Sequence, residues 1–295
     1  MSLVITQVGG YNIIIRQFEI PYNFDKELID IMFKIDPYGK RYHCIYCPPY
    51  MEDYRAAKHF YTHSNGKYMA DAHSMSKEQY LSHIEHIREF FPDKLMLLLQ
   101  QNNYLMEDAM LQEYINLGFS KFCVGSIAQA QHIRAILPNA EIIASITMKL
   151  MPEDLENPEC EVFDGVVLYF PYNRDLEMIA NLPKKFKYVL LVNCGCNINC
   201  PGTHHWFADR GAEKKMFNFC PNARIKHEND GGNVPWEQII RVRPMDLPVF
   251  DPYITYYKLQ GREFDTSQIV EEICLYSYDY LRLPRVNIEP SLYCK

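Results

Sequence analysis

The 295-residue sequence lacks several features that would assign it to a class of protein at once. It has no run of the roughly 18 apolar residues that a membrane-spanning helix needs, so we expect no membrane partner. It has no excess of positive charge, since 30 Lys and Arg stand against 37 Asp and Glu. This balance argues against a general nucleic-acid coat, which needs clustered cations, but it leaves room for a local basic cleft.

The common hydrolase motifs are absent as well. The sequence contains no GxSxG, no HExxH and no Cys/His pair marked by a motif of its own, which disfavours a protease of a familiar type. The CxxxCxxC pattern of radical S-adenosylmethionine enzymes fails too, because Thr203 occupies the slot that follows Cys196 and Cys200. The opening MSLVITQVGG has no basic stretch followed by an apolar core, so we expect a cytoplasmic protein.

Short β-rich runs alternate with amphipathic helical stretches, a pattern typical of parallel strands joined by helical crossovers. Most of the runs are apolar on both faces, as strands covered by helices are. One TIM-type (β/α) barrel of about 250 residues fits the chain length, so we predict a single barrel domain over residues 1–295. The predicted strands are residues 12–20, 94–100, 121–126, 141–148, 165–170, 188–193 and 254–260.

A complete barrel of this type has eight strands, so with seven predicted strands the eighth is either missing or not evident from the sequence. Helices are predicted at 76–91 and 126–138, each with a Ser/Gln capping signal, at 107–118 and, shorter, at 173–183. Residues 202–250 show little periodicity, and we predict a long excursion there between the last two strands. Long loops at one end of a barrel are where function usually lies.

Three cysteines and two histidines occur within residues 193–205, NCGCNINCPGTHH. They follow a predicted strand directly, and residues after a barrel strand lie at the catalytic end. The spacing of Cys196 and Cys200 can direct two thiolates to one point, and Cys220 follows in the same excursion. Reduced cytosolic thiols favour metal binding over disulfides. The chemistry is left open between an iron–sulfur cluster and a zinc site completed by Cys194, His204 or His205.

The other cysteines are interpreted as packing residues. Cys123, Cys160 and Cys274 are isolated in strand or helix contexts, where a thiol behaves as a small hydrophobe. Cys44 and Cys47 have the CxxC spacing of a redox site or half a zinc site, but no matching pair follows. Packing or accessory metal ligation is therefore the favoured interpretation for that pair.

Charged residues near the predicted barrel mouth are candidates for contacting a substrate. Arg241 and Arg243, in RVRP, can clamp a carboxylate or phosphate, and Lys258, Arg262 and Glu263 belong to KLQGRE. A structural ion pair is an equal alternative for Arg262. His205 follows the cysteines directly and is placed for metal ligation or proton transfer.

The residues LLVNCGCNINCPGTHH, followed by Cys220, RVRPMDL and YYKLQGRE, resemble peptidase family U32, the collagenase-like peptidases of unassigned catalytic type. The resemblance implies a TIM-type barrel, in several members with a four-iron, four-sulfur cluster on four cysteines. Members hydroxylate RNA bases or quinone precursors, whereas others carry only a protease label. This sequence lacks the cysteine that some members have before YYKLQGRE, so Cys194, Cys274, Cys294 or a histidine would have to be the fourth ligand.

The leading hypothesis is therefore a U32-like barrel with a cysteine-bound iron–sulfur cluster, which hydroxylates an RNA base or a small aromatic molecule with the help of an electron donor or partner subunit. The alternatives are a U32-type peptidase and a zinc-stabilised barrel that binds a partner. The predicted site consists of metal ligands Cys194, Cys196, Cys200 and Cys220, catalytic residues His205, Arg262 and Glu263, and substrate-binding residues Asn193, Arg241, Arg243 and Lys258.

Overall fold

The computed structural model describes residues 4–8, 11–50, 75–100, 105–169, 173, 175–194, 240–261 and 264–277. Eight parallel strands in this part of the chain close into a barrel with helices between them, which confirms the predicted TIM-type fold. The first two strands form a separate antiparallel hairpin. The strands are β1 Val4–Val8, β2 Tyr11–Ile15, β3 Phe18–Pro21, β4 Tyr42–Cys47, β5 Leu95–Leu99, β6 Lys121–Val124, β7 Glu141–Ala144, β8 Gly165–Val167, β9 Lys187–Leu191 and β10 Tyr256–Lys258.

Strand β10 closes the barrel by pairing with β3 on one side and β9 on the other. The described helices are α1 Lys26–Ile35, α2 Lys77–Phe90, α3 Asp108–Asn116, α4 Ile127–Ile136, α5 Leu176–Ala180, α6 Leu247–Phe250 and α7 Thr266–Ser277. Short 3₁₀ turns cover Ile146–Met148, Asp154–Glu156, Pro158–Val162 and Pro244–Asp246. None of the helices described is both long and apolar enough to span a bilayer.

Two of the sequence-predicted strands need correction. The run 12–20 is two strands, because the chain leaves the hairpin at Ile15 and enters the barrel at Phe18. The run 141–148 is a strand only to Ala144, after which a 3₁₀ turn begins at Ile146. The long excursion predicted for 202–250 lies mostly outside the described residues, which resume at residue 240.

The eighth strand is β4, which the sequence analysis interpreted as a cysteine motif. All six of its residues are buried. Successive side chains of a strand point to opposite faces, so two cysteines three residues apart cannot face each other. Accordingly Cys44 belongs to the cluster inside the barrel, whereas Cys47 packs in the outer layer against the helices. The two thiols therefore cannot act together as a redox pair or zinc half-site, and their burial agrees with the favoured interpretation, packing or accessory ligation.

Helix starts follow the predicted capping chemistry. The Ser76 hydroxyl accepts from the Gln79 backbone N–H at 3.2 Å, and the Gln79 side chain accepts from the Ser76 N–H at 2.7 Å, which completes the capping box of α2. At α4, the Ser126 hydroxyl caps Gln129 in the same way. The Gln129 side chain instead accepts from the Gly125 N–H at 2.9 Å, so only half of the box forms there.

Side chains along each barrel strand alternate between two apolar layers, one inside the barrel and one between the barrel and the helices. Leu95, Leu97 and Leu99 of β5 face the helices, while Met96 and Leu98 face inward. We call the inward-facing group the interior cluster; its members are Cys44, Tyr46, Met96, Leu98, Cys123, Ile143, Ile146, Val167, Tyr169, Val189, Leu191, Cys194, Ile240 and Tyr256. Polar side chains embedded among these residues make up the sites described next.

Candidate active site at the barrel mouth and a polar group in the barrel interior

The ends of β9 and β10 are joined by one asparagine at the C-terminal mouth of the barrel. Asn193, two residues beyond β9, is buried. Its side-chain Nδ2 donates to the Gln260 carbonyl oxygen at 2.9 Å, and its Oδ1 accepts from the Gln260 N–H at 2.8 Å. A primary amide can both donate to and accept from the backbone of a single residue. Asn193 therefore connects the two strand ends from which both predicted functional segments continue.

A second buried amide links β8 to the same place. Asn173 follows β8 and is fully buried, and its Nδ2 donates to the carbonyl oxygen of Leu191 at the end of β9. Its Oδ1 is also buried but finds no hydrogen-bond partner among the described residues. The nearby Asp175 is the N-cap of α5, as it accepts from the Met178 N–H at 2.9 Å.

Of the predicted metal ligands Cys194, Cys196, Cys200 and Cys220, only Cys194 lies in the described part of the chain. It is buried at the end of β9 and belongs to the interior cluster, which also contains Ile146, Tyr169 and Ile240. The remaining predicted ligands and catalytic residues lie outside the described residues: Cys196, Cys200, Cys220, His205, Arg262 and Glu263.

The two arginines predicted to clamp a substrate have different surroundings. Arg241 is buried, with Nη2 at 2.9 and 3.0 Å from the two carboxylate oxygens of Glu272 and Nε donating to the Tyr276 hydroxyl at 3.1 Å. Both partners lie on α7, so Arg241 ties this helix to the barrel. Arg243 forms a two-point salt bridge with Asp246, and its side chain is 40% exposed.

Lys258 points into the barrel. Its Nζ lies 2.5 Å from Glu19 Oε2 and 3.8 Å from the centre of the Tyr46 ring. Burial lowers the pKa of this ammonium, but the Glu19 carboxylate and then Tyr46 outweigh burial, and the net pKa is raised. The lysine is therefore held in its charged form, paired with a carboxylate that is fully buried.

A β-bulge places two adjacent side chains of β4 inside the barrel. Phe18 pairs with Tyr42 but Glu19 pairs with Cys44, so His43 is an extra residue in the ladder. Without a bulge, adjacent residues would face opposite sides. Here the His43 ring stacks on Tyr256 of the interior cluster at 3.5 Å between centroids, and Cys44 also faces inward.

Glu19, His43 and Cys44 consequently form a buried polar group, whose ligand-type atoms all lie within 4.8 Å of one another. Burial, followed by nearby lysines such as Lys121, lowers the pKa of His43 and keeps its imidazole neutral. Burial, followed by Glu19, raises the pKa of the Cys44 thiol and keeps it protonated. Sequence reasoning missed His43 because a bulge leaves no pattern in the sequence, and it missed Glu19 because its partner Lys258 is 239 positions away.

The fold resembles one already seen in a solved structure. The structure of the U32 peptidase Mk0906 matches with a TM-score of 0.50 over 86% of this chain and 95% of that chain, at 11% sequence identity. At this identity the likeness concerns the fold alone, and it supports a U32-like eight-stranded barrel. No family model and none of the curated proteins matches the sequence.

Proposed function

We propose that this protein is a U32-type barrel enzyme that acts at the C-terminal mouth of its barrel, with an iron–sulfur centre bound by the cysteines that follow β9. Its substrate is an RNA base or a small aromatic molecule, which it hydroxylates. The observation that carries the proposal is the pair of hydrogen bonds between Asn193 and Gln260. These bonds join the ends of β9 and β10 at the end of the barrel where active sites of this fold form.

Both predicted functional segments leave the barrel from this joined pair of strand ends. The chain that leads to Cys196 and Cys200 begins at the buried Cys194, and the chain that leads to Arg262 begins at Gly261. Asn193 therefore serves as a positioning residue in the proposed site, because it fixes the two starting points relative to each other. This role replaces the direct contact with substrate that the sequence suggested for it.

The donors present suit a thiolate-bound centre as far as the described chain reaches. Cys194 supplies a sulfur that is buried at the strand end, in surroundings with little access to water. In the proposal Cys196, Cys200 and Cys220 provide the other thiolates, with His205 beside them. A bound cluster supplies one-electron chemistry, whose potential depends on burial and hydrogen bonds around the sulfurs, and it requires an external electron donor.

The cationic residues take different roles in the proposal. Among the three cations predicted to bind substrate, Arg243 is the best placed to meet one. Its side chain is 40% exposed, whereas those of Arg241 and Lys258 are 10% and 7% exposed. A guanidinium group can bind a phosphate or carboxylate through two parallel hydrogen bonds. Arg243 would release Asp246 to do so, whereas Arg241 and Lys258 remain in structural ion pairs.

The test compares modified nucleosides in RNA from cells with the gene intact, deleted, or restored as Cys196→Ala. Cys160→Ala is the matched control, since Cys160 is a buried thiol away from the mouth. We expect one modification to disappear on deletion, to stay absent with Cys196→Ala and to return with the control. An unchanged nucleoside profile together with cleavage of a peptide panel by the purified protein would replace the proposal with a peptidase.

A further inference from the structure

We infer that the interior of the barrel holds a second, structural metal site, in which Glu19, His43 and Cys44 bind a zinc ion. This site is separate from the cysteines at the mouth and is formed entirely by described residues. Its three ligand-type atoms come from β3 and β4 and lie within 4.8 Å of one another, in the fully enclosed part of the barrel.

The unpartnered atoms of this group point to an occupant. Glu19 Oε1 and His43 Nε2 are both buried and have no hydrogen-bond partner in the described part of the chain. Buried polar atoms in folded proteins nearly always have a partner, and those that do not call for an unseen water or ion. Glu19 offers one oxygen to such an occupant while its other oxygen stays paired with Lys258 at 2.5 Å.

The chemistry of the three donors selects a transition metal over calcium or magnesium. A thiolate and an imidazole are ligands for zinc, whereas calcium and magnesium take oxygen ligands almost exclusively. Donor atoms around a tetrahedral zinc ion lie about 3.5 Å apart, at bond lengths of roughly 2.0–2.3 Å. The observed limit of 4.8 Å therefore requires a contraction of at most about 1.3 Å on binding. A water molecule would complete the tetrahedron as the fourth ligand.

Neighbouring side chains fix the orientation of two of the three proposed zinc ligands, His43 and Glu19. The His43 ring is held by stacking on Tyr256. Its Nε2, which would bind the ion, lies 3.5 Å from a carboxylate oxygen of Glu141, a contact without hydrogen-bond geometry. Lys258 fixes the orientation of the Glu19 carboxylate from the opposite side. A residue that hydrogen-bonds a metal ligand orients it, and the removal of such a residue typically lowers metal affinity about 10–100-fold.

The charges of the zinc ion and its ligands cancel when zinc is bound, and Lys258 remains as a buried cation beside Glu19. As the zinc–sulfur bond forms, the Cys44 thiol releases its proton to solvent, and no oxidation or reduction takes place. The ion then carries two positive charges against the Glu19 carboxylate and the Cys44 thiolate. Lys187 and Glu141, 2.6 Å apart, form a separate ion pair whose charges cancel. An ordered water molecule in place of the metal is the competing occupant.

The experiment measures zinc by mass spectrometry in the full-length protein after removal of loosely bound metal. The key background is a variant in which Cys196, Cys200 and Cys220 are all alanine, which removes the thiols proposed to bind a centre at the mouth. In that background we expect about one zinc per chain, lost on Cys44→Ala and kept on Cys123→Ala. Cys123 is the matched control, because it is a buried thiol of the same interior cluster that is not in the ligand group.

Cobalt substitution in the same background gives a spectroscopic readout of the ligands. Co²⁺ bound through Cys44 should give a thiolate-to-cobalt charge-transfer band, and Cys44→Ser, which keeps the side chain's size, should abolish that band without changing the far-ultraviolet circular dichroism spectrum. A failed hydroxylation test at the mouth would leave all these results unaffected.

Two outcomes would overturn the inference. One is background protein without zinc, whose unfolding temperature does not rise with added zinc, as expected if water fills the site. The other is zinc retained at the same level after Cys44→Ala in that background, which would place the metal elsewhere in the chain.

Discussion

The buried ion pair between Glu19 and Lys258 makes the sharpest prediction about stability. The Lys258 and Glu19 side chains are 7% and 0% exposed, and their charged atoms are 2.5 Å apart. At an effective dielectric constant of about 20, two unit charges at that distance attract by roughly 7 kcal/mol. Desolvation of both ions offsets most of this attraction, because it costs several kcal/mol per ion. The pair as a whole is therefore worth little compared with an apolar pair of the same size.

The loss of only one partner has a much larger effect. Lys258→Met or Glu19→Leu leaves a buried charge uncompensated, and we expect each to lower the free energy of unfolding by about 3–5 kcal/mol. The double variant Glu19→Leu/Lys258→Met should recover to within about 2 kcal/mol of the wild type. Urea unfolding followed by circular dichroism, in the presence of a chelator so that metal binding does not contribute, gives all four values of the cycle.

The pH dependence has a definite sign. In the wild type the folded pKa of Lys258 is raised, so the stability gained from its charge is fully present below the unfolded pKa of about 10.4 and is lost only above that value. In Glu19→Leu the main cause of the rise is gone and burial lowers the pKa instead. The unfolded state then binds more protons, so the deficit of this variant should shrink as the pH is raised from 7 to 10.

Additive costs would refute this reasoning. If the two single variants each lost under about 1 kcal/mol and the double variant lost their sum, the two charges would not be coupled in the folded protein. A deficit of Glu19→Leu that grew between pH 7 and 10 would contradict the assigned cause of the Lys258 pKa.

Three further predictions concern the mouth and β4. Gly261→Ala should lower the free energy of unfolding, measured in urea, by about 1–3 kcal/mol. Gly261 has φ +132°, and an added Cβ would lie 2.3 Å from the Phe264 ring. A change near zero would contradict this geometry. Asn193→Ala should cost about 2–4 kcal/mol and speed hydrogen exchange at the Gln260 amide, as it removes two buried hydrogen bonds; unchanged exchange would show that they do not join the strands. Cys44 and Cys47 are both fully buried, so they should react with a thiol reagent only after unfolding, which mass spectrometry of labelled peptides would show. Labelling of both cysteines in the folded protein would favour a redox role instead.

The local elements could be predicted because their signals are local. The capping pair of Ser76 and Gln79 and the apolar stripe behind it define α2 without reference to the rest of the chain. The alternation of apolar runs with such helices predicts a parallel sheet covered by helices, and the length of 295 residues fits a complete barrel.

The residues of β4 do not show the pattern by which a strand is recognised in a sequence. YHCIYC lacks the alternation of a half-exposed strand because both of its faces are buried, and its cysteine spacing suggests a different motif. Once the segment is known to be a strand, its two-residue period places Cys44 inside the barrel and Cys47 outside it. The two thiols therefore cannot act as a pair.

The polar interior could not be predicted for a different reason. Glu19 meets Lys258 across 239 positions of sequence, and no local pattern encodes a contact of that range. The same holds for Asn193 and Gln260, which are 67 residues apart. His43 faces inward only because β4 bulges against β3, a feature of the ladder that depends on both strands.

The most direct test of a metal-dependent site at the mouth is the iron and acid-labile sulfide content of anaerobically purified protein. The account predicts a brown protein that absorbs near 400 nm, roughly where thiolate-bound iron absorbs, with iron and sulfide lost in Cys200→Ala and retained in Cys160→Ala. Colourless wild-type protein without iron or sulfide, or iron that persists in Cys200→Ala, would contradict it.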